Sequence, residues 1–200
     1  MVRPSGTGGK AEELARDQIR RLDRCLTGSR TELRDRALIY LGLGSGMRIG
    51  ELAQLRWEDV APAGKVLSRI VLEKHSTKSG ESRTVAISAQ AREHLLKYRQ
   101  SLSSSSERPS GPLFPHRVHP TRPMGSNGAC KLLTRLFTQA GIPNASSHSL
   151  RRTHANALRR QGVDLKVIQE QLGHSSLSTT ERYFVVDPLE KQRAVDLVRF

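Results

Sequence analysis

The sequence predicts a mainly helical α+β domain with one small antiparallel β-sheet. Three observations carry that prediction. Apolar residues recur at helical spacing, as Leu14, Ile19 and Leu22 do. Helix-end chemistry punctuates the chain: Ser29-Arg-Thr-Glu32 and Ser178-Thr-Thr-Glu181 are capping-box patterns, and Gly141, Gly162 and Gly173 close helical runs. Alternating, β-rich residues are confined to two short stretches, 66–73 and 82–87, on either side of a polar turn.

The elements follow in order. The first nine residues lack the apolar core of a signal peptide and read as part of a flexible arm over 1–10. Residues 10–25 are polar and helix-permissive. The box at Ser29 opens a strongly apolar helix over 33–44, which Gly44-Ser45-Gly46 breaks. A short helix is expected over 48–56, and Trp57-Glu58-Asp59-Val60 leaves it. Pro62 and Gly64 mark a turn before the hairpin. Ser88 caps a helix running to about residue 101. Residues 103–123 are rich in Ser, Pro and Gly and read as loop. A helix over 126–140 stops at Gly141 and Pro143. Ser146 or Ser147 caps the next, which runs to Gly162, and Asp164 caps another, ended by Gly173. The box at Ser178 opens a helix carrying Tyr183. The last stretch, 188–200, reads as a short amphipathic helix. There is no internal repeat.

Bulk composition narrows the partner. Lys and Arg total 33 against 19 Asp and Glu, a formal charge of +14, which favours a polyanion. The two cysteines, Cys25 and Cys130, have no metal-ligand spacing and suggest no disulfide framework, which fits a reducing cytoplasm. The longest apolar stretch, near 37–43, is far too short for a bilayer, so no membrane partner is expected. The seven histidines form no His-Glu-x-x-His pattern, and Gly42, Gly44 and Gly46 are not followed by a phosphate-loop lysine. No metal site and no cofactor are expected.

The chemistry is concentrated toward the end of the chain. His148-Ser-Leu-Arg151 places a histidine and an arginine on one face at a helix start, where the dipole favours anions. Leu172-Gly-His174 follows, then Tyr183. Arg48 stands directly after a glycine-rich helix break, and Glu51 lies one turn later, able to brace it. Lys78 sits at the tip of the hairpin. A tyrosine with a free pKa near ~10 is only about 0.1% ionised at neutral pH, a deficit of roughly 4 kcal/mol. A site that uses it must stabilise negative charge strongly. Cations around a tyrosine therefore suggest phosphodiester chemistry through a covalent protein–phosphate intermediate. Tyr40 and Tyr98 read instead as packing residues.

Four blocks in order carry a family resemblance. They are Gly46-Met-Arg-Ile-Gly-Glu-Leu, Thr77-Lys-Ser-Gly-Glu-Ser-Arg-Thr-Val, His148-Ser-Leu-Arg-Arg-Thr-His-Ala and Leu172-Gly-His-Ser-Ser-Leu-Ser-Thr-Thr-Glu-Arg-Tyr183. The chain resembles the catalytic domain of tyrosine site-specific recombinases, the phage integrase family, over residues 11–190.

That resemblance implies the DNA breaking-rejoining fold and a site of Arg48, Lys78, His148, Arg151, His174 and Tyr183, with Glu51 orienting basic side chains. The two arginines and His174 would hold the scissile phosphate, and His148 would contact it or accept the tyrosine proton. Lys78 would protonate the leaving 5′-oxygen, and Tyr183 would form a 3′-phosphotyrosine bond. It further implies site-specific recombination through a Holliday junction, without ATP or an obligatory metal. The partner would be double-stranded DNA with inverted-repeat core sites, bound by a homotetramer on paired sites, with a monomeric state open to the protein without DNA. The setting would be cytoplasmic and nucleoid-associated.

Residues 11–200 would form the catalytic domain. By the same resemblance, the N-terminal core-binding domain of complete members would be missing here, as expected of either an excised domain or a naturally short recombinase. Two other readings share features: type IB topoisomerase-like relaxation, and a non-catalytic DNA-binding regulatory module.

Overall fold

The apolar stretch that opens after Ser29 becomes the central helix. The structure is a computed structural model that describes residues 12–73, 82–102, 110–174 and 195–196. Among these, α1 is Arg16–Leu26, α2 Glu32–Ser45, α3 Ile49–Gln54 and α4 Trp57–Val60. The sheet is β1, Arg69–Leu72, and β2, Arg83–Ala86. Then come α5 Ala89–Leu102, α6 Gly125–Gln139, α7 Ser147–Arg160 and α8 Leu165–Leu172. The expected mainly helical α+β class is what is found.

Helix α2 buries Ala37, Leu38, Ile39 and Leu41 almost completely. A helix apolar on most sides must be covered on most sides, and α1, α3, α5 and α7 all pack on it. Its N-cap is Thr31, two residues past the expected Ser29. The Thr31 hydroxyl donates to Asp35 at 2.8 Å, and Glu32 accepts from the Gly28 amide at 2.7 Å. The acid of the capping pattern thus reaches back past Ser29.

Two other boundaries shift for tertiary reasons. Helix α1 begins at Arg16 rather than near residue 10, because the preceding chain is tied to α7. The Leu14 amide donates to Thr153 Oγ1 at 2.9 Å, and Glu13 pairs with Arg160 and Asn156. The helix expected over 48–56 stops at Gln54, since Leu55 O accepts from the Leu113 amide at 2.8 Å and the Trp57 amide donates to Gly111 O at 2.9 Å. Trp57 then starts a separate turn, α4.

The hairpin is antiparallel, with Ile70 opposite Val85 and Leu72 opposite Arg83. Ile70, Leu72 and Val85 are buried, so one face lies on the core. β1 is shorter than expected because the Leu67 amide bonds Val60 O at 2.9 Å instead of joining the ladder. Tyr98 lies between Trp57 and Phe114, with ring centroids 5.5 and 6.4 Å away. Burial pushes its phenol up to about 12. Tyr40 stacks on His94 at 3.9 Å. Both tyrosines are packing residues, as expected.

Helices α7 and α8 meet in a small apolar cluster of their own, Ala155, Ile168 and Leu172. Ser146 caps α7 by accepting from the His148 amide at 3.3 Å, and Asp164 caps α8 by accepting from Lys166 at 2.7 Å. Gly173 ends α8 in the left-handed region, at φ +64°. Arg151, in the second turn of α7, bonds Leu172 O and so ties the end of α8 to α7. Among the described residues, no helix is long and apolar enough to cross a membrane.

Candidate active site

A cleft of about 500 Å³ opens where α3, α6 and α7 converge. Arg48, Glu51, His148 and Arg151 all line it, with Ser126 and Ser147 beside them. Residues 100 positions apart in the chain thus share one concavity. His148 is exposed at the first turn of α7, the end of the helix whose dipole favours anions.

Arg151 is 2% exposed. Its Nη1 donates to Gly46 O at 2.6 Å and its Nη2 to Leu172 O at 2.7 Å. One guanidinium therefore ties the end of α2 to the end of α8. A guanidinium carries five N–H donors, and this one still lines the cleft while pinned. Fixing the cation in this way removes the reorganisation that a mobile charge would need when an anion arrives.

Arg48 is held from two sides. Its Nη1 donates to Glu51 Oε1 at 3.0 Å and its Nη2 to Gly173 O at 3.0 Å. Glu51 is almost fully buried and also accepts from the Arg48 amide at 2.8 Å and from Arg83 Nη2 at 2.7 Å. Burial pushes the Glu51 carboxyl up, but the Arg83 charge and the donors of Arg48 and Arg83 outweigh it and hold the group below the usual range. Glu51 is ionised at neutral pH, as a brace for basic side chains must be.

His174 is 8% exposed and directly follows the α8 cap. Burial lowers its pKa most, and Arg151, Arg48 and Arg83 lower it further, to about 4. Three guanidiniums thus act on one imidazole, which is neutral at pH 7 and can donate an N–H to an anion without carrying charge. Its backbone is locked by bonds to Gln169 at both amide and carbonyl.

The structure brings Arg48, Glu51, His148 and Arg151 into one cleft, with His174 in the field of the arginines. Lys78 and Tyr183 lie outside the described residues, as do most of the helices expected around Tyr183 and over 188–200. His154, close to Arg151 in sequence, points away, with Nδ1 on Leu43 O at 2.8 Å. No group of three metal-binding side chains occurs among the described residues.

Two contributors escaped sequence reasoning. Arg83 touches Glu51 and the α8 end, and Gln171 bonds Ser45 O and both backbone groups of Ala86. Arg83 had a readable signal: it sits two residues before Val85, so strand alternation puts both on the inner face. Gln171 had none.

Fold and site together define an α+β domain built around a cationic cleft. The phage integrase family model matches residues 12–190, so the chain belongs to that family. It is 32% identical over 170 residues to the tyrosine recombinase XerA of Thermococcus kodakarensis, covering 85% of this chain and 56% of that one. It is 35% identical over 163 residues to the tyrosine recombinase XerC of Rhodospirillum centenum, covering 78% and 43%. The chain thus spans about half the length of the curated relatives it matches. A crystal structure of XerA recombinase superposes with a TM-score of 0.75 at 25% identity, over 100% of this chain and 68% of that one. The Tn1549 transposon integrase in complex with circular intermediate DNA shares the fold at 18% identity, with a TM-score of 0.74 over 95% and 67% of the two chains.

Proposed function

We propose that this chain is the catalytic part of a site-specific DNA recombinase that cuts and rejoins strands through a 3′-phosphotyrosyl bond. One observation carries the reading: Arg48, His148 and Arg151 face a single cleft, and His174 lies in the field of both arginines. Family membership supplies the reaction, and relatives of the same fold have been solved on DNA.

In this scheme Arg48 and Arg151 hold the non-bridging oxygens of the scissile phosphate, and His174 donates a further hydrogen bond. Each cation contributes ~3–4 kcal/mol to a pentavalent transition state, by analogy with oxyanion donors. Tyr183 Oη attacks phosphorus in line, and its proton passes to His148 or solvent. The P–O5′ bond breaks, and Lys78 gives its proton to the departing oxygen. The phosphotyrosine keeps the free energy of the broken diester, so a 5′-hydroxyl of a partner strand can reverse the step. Residues 11–200 act as the catalytic domain and 1–10 as an arm. A homotetramer on two inverted-repeat sites, in the cytoplasm, performs the exchange.

The test is a nicked suicide duplex carrying the inverted repeats that flank the gene. An SDS-stable protein–DNA adduct should form in EDTA and vanish in Tyr183→Phe. Relaxation of any supercoiled plasmid without exchange between paired sites would favour a topoisomerase. Tight binding with no adduct on any duplex would reduce the protein to a binding module.

A further inference from the structure

We propose that Arg83 is a positioning residue, one that locks the hairpin to α3 and α8 and thereby sets Arg48 in the cleft and His174 in the field of the arginines. The inference rests on the recombinase reading above and deepens it.

Arg83 opens β2 on its inner face, and its side chain is only 11% exposed. Nη2 donates to Glu51 Oε2 at 2.7 Å, and Nη1 donates to Gln171 O at 3.2 Å. The other oxygen of Glu51 holds Arg48, whose Nη2 returns to Gly173 O. The contacts close a ring through Arg83, Glu51, Arg48 and the last turn of α8. Gly173 completes it by close approach. A Cβ there would lie 2.5 Å from Arg83 Cδ, so the backbone just before His174 rests on the Arg83 side chain.

Charge gives the ring a second consequence. Glu51 is shared by two guanidiniums, so Arg48 keeps surplus positive charge for an anion. Without Arg83, Glu51 and Arg48 would largely neutralise each other. Lysine is a point charge on a flexible stem and lacks the planar fork that reaches both Glu51 and Gln171. It would restore charge but not geometry.

Arg83→Gln and Arg83→Lys in the full chain test this by two readouts. In amide hydrogen exchange, Gly173 and His174 should exchange faster in Arg83→Gln, and to a lesser degree in Arg83→Lys, with α2 and α5 unchanged. Equal acceleration across the core, or none at 173–174, would overturn the proposal. On a duplex cut by the unsubstituted chain, the adduct rate at saturating DNA should fall about 10–100-fold in Arg83→Gln, as a small misplacement of catalytic groups would cause. Affinity should stay within about threefold, a small change on the scale of binding free energies. Arg83→Lys should recover part of the rate. A loss of affinity alone, or an unchanged rate, would count against positioning. If Arg83→Gln does not fold, both readouts apply to Arg83→Lys alone. If the unsubstituted chain cuts no duplex, the recombinase reading falls, and the exchange data still judge the clamp.

Discussion

Replacing Gly46 by alanine should damage both stability and site geometry. Gly46 ends α2 at φ +66°. A Cβ there would lie 2.6 Å from His154 Cδ2 and 2.8 Å from Leu172 Cδ2. Neither neighbour can yield easily. His154 is tethered to Leu43 O at 2.8 Å, and Leu172 is fully buried between α7 and α8. Left-handed strain costs roughly 1–2 kcal/mol, and overpacking adds about 1–3, for a total of about 2–5 kcal/mol. Gly162 provides the control: it sits just past α7 at φ +74°, and a Cβ there meets nothing within 4 Å. Gly162→Ala should show the strain alone, about 1–2 kcal/mol.

The gap between the two variants isolates crowding, about 1–3 kcal/mol. With a urea slope of ~2 kcal/mol per molar, the unfolding midpoints should differ by about 0.5–1.5 M. A functional difference should accompany it. Gly46 O is an anchor of Arg151 at 2.6 Å, so a displaced Gly46 moves the guanidinium. Adduct yield should fall in Gly46→Ala and hold in Gly162→Ala. Equal destabilisation by the two substitutions would refute the crowding argument.

Two other outcomes are expected, one in pH dependence and one on neutralising Glu51. His174 titrates near 6.5 unfolded but about 4 folded, so below pH 6.5 the unfolded chain binds the extra proton and stability falls, levelling off below about 4. Burial pushes His154 the same way, and His174→Gln should flatten the slope of urea midpoints between pH 6.5 and 4; an unchanged slope would contradict the shift. Glu51→Gln leaves two part-buried guanidiniums without their carboxylate and should cost about 3 kcal/mol at pH 7, the low end for a broken buried pair because Arg48 is partly solvated. Because Glu51 itself protonates in strong acid, the gap between variant and parent should close there, and a gap independent of pH would argue against an ionised Glu51.

Much of the fold was legible because it is written in local chemistry. Asp164, Ser146 and Gly173 cap where their side chains and backbone freedom dictate. Alternation around Ile70 and Val85 named a small antiparallel hairpin. Where the bounds of α1 and α3 moved, a distant partner had captured a backbone group: Thr153 took the Leu14 amide, and Leu113 took the Leu55 carbonyl. No window of sequence contains such a competitor. The same divide runs through the site. Arg48, His148, Arg151 and His174 were recognisable from type, order and neighbours. The carbonyls that anchor Arg151, and the role of Gln171, were not, because they pair residues from 21 to 126 positions apart.

Residue type and short-range periodicity were enough to specify a helical domain, a basic character and a set of candidate phosphate-binding groups. Only the folded chain decided that Arg48, His148 and Arg151 share one cleft, that Arg151 is buried against two helix ends, and that burial and three guanidiniums lower the His174 pKa. The reason is electrostatic as much as geometric. A pKa or a pinned cation depends on burial and on charges a few ångströms away, and both are set by which distant segments pack together.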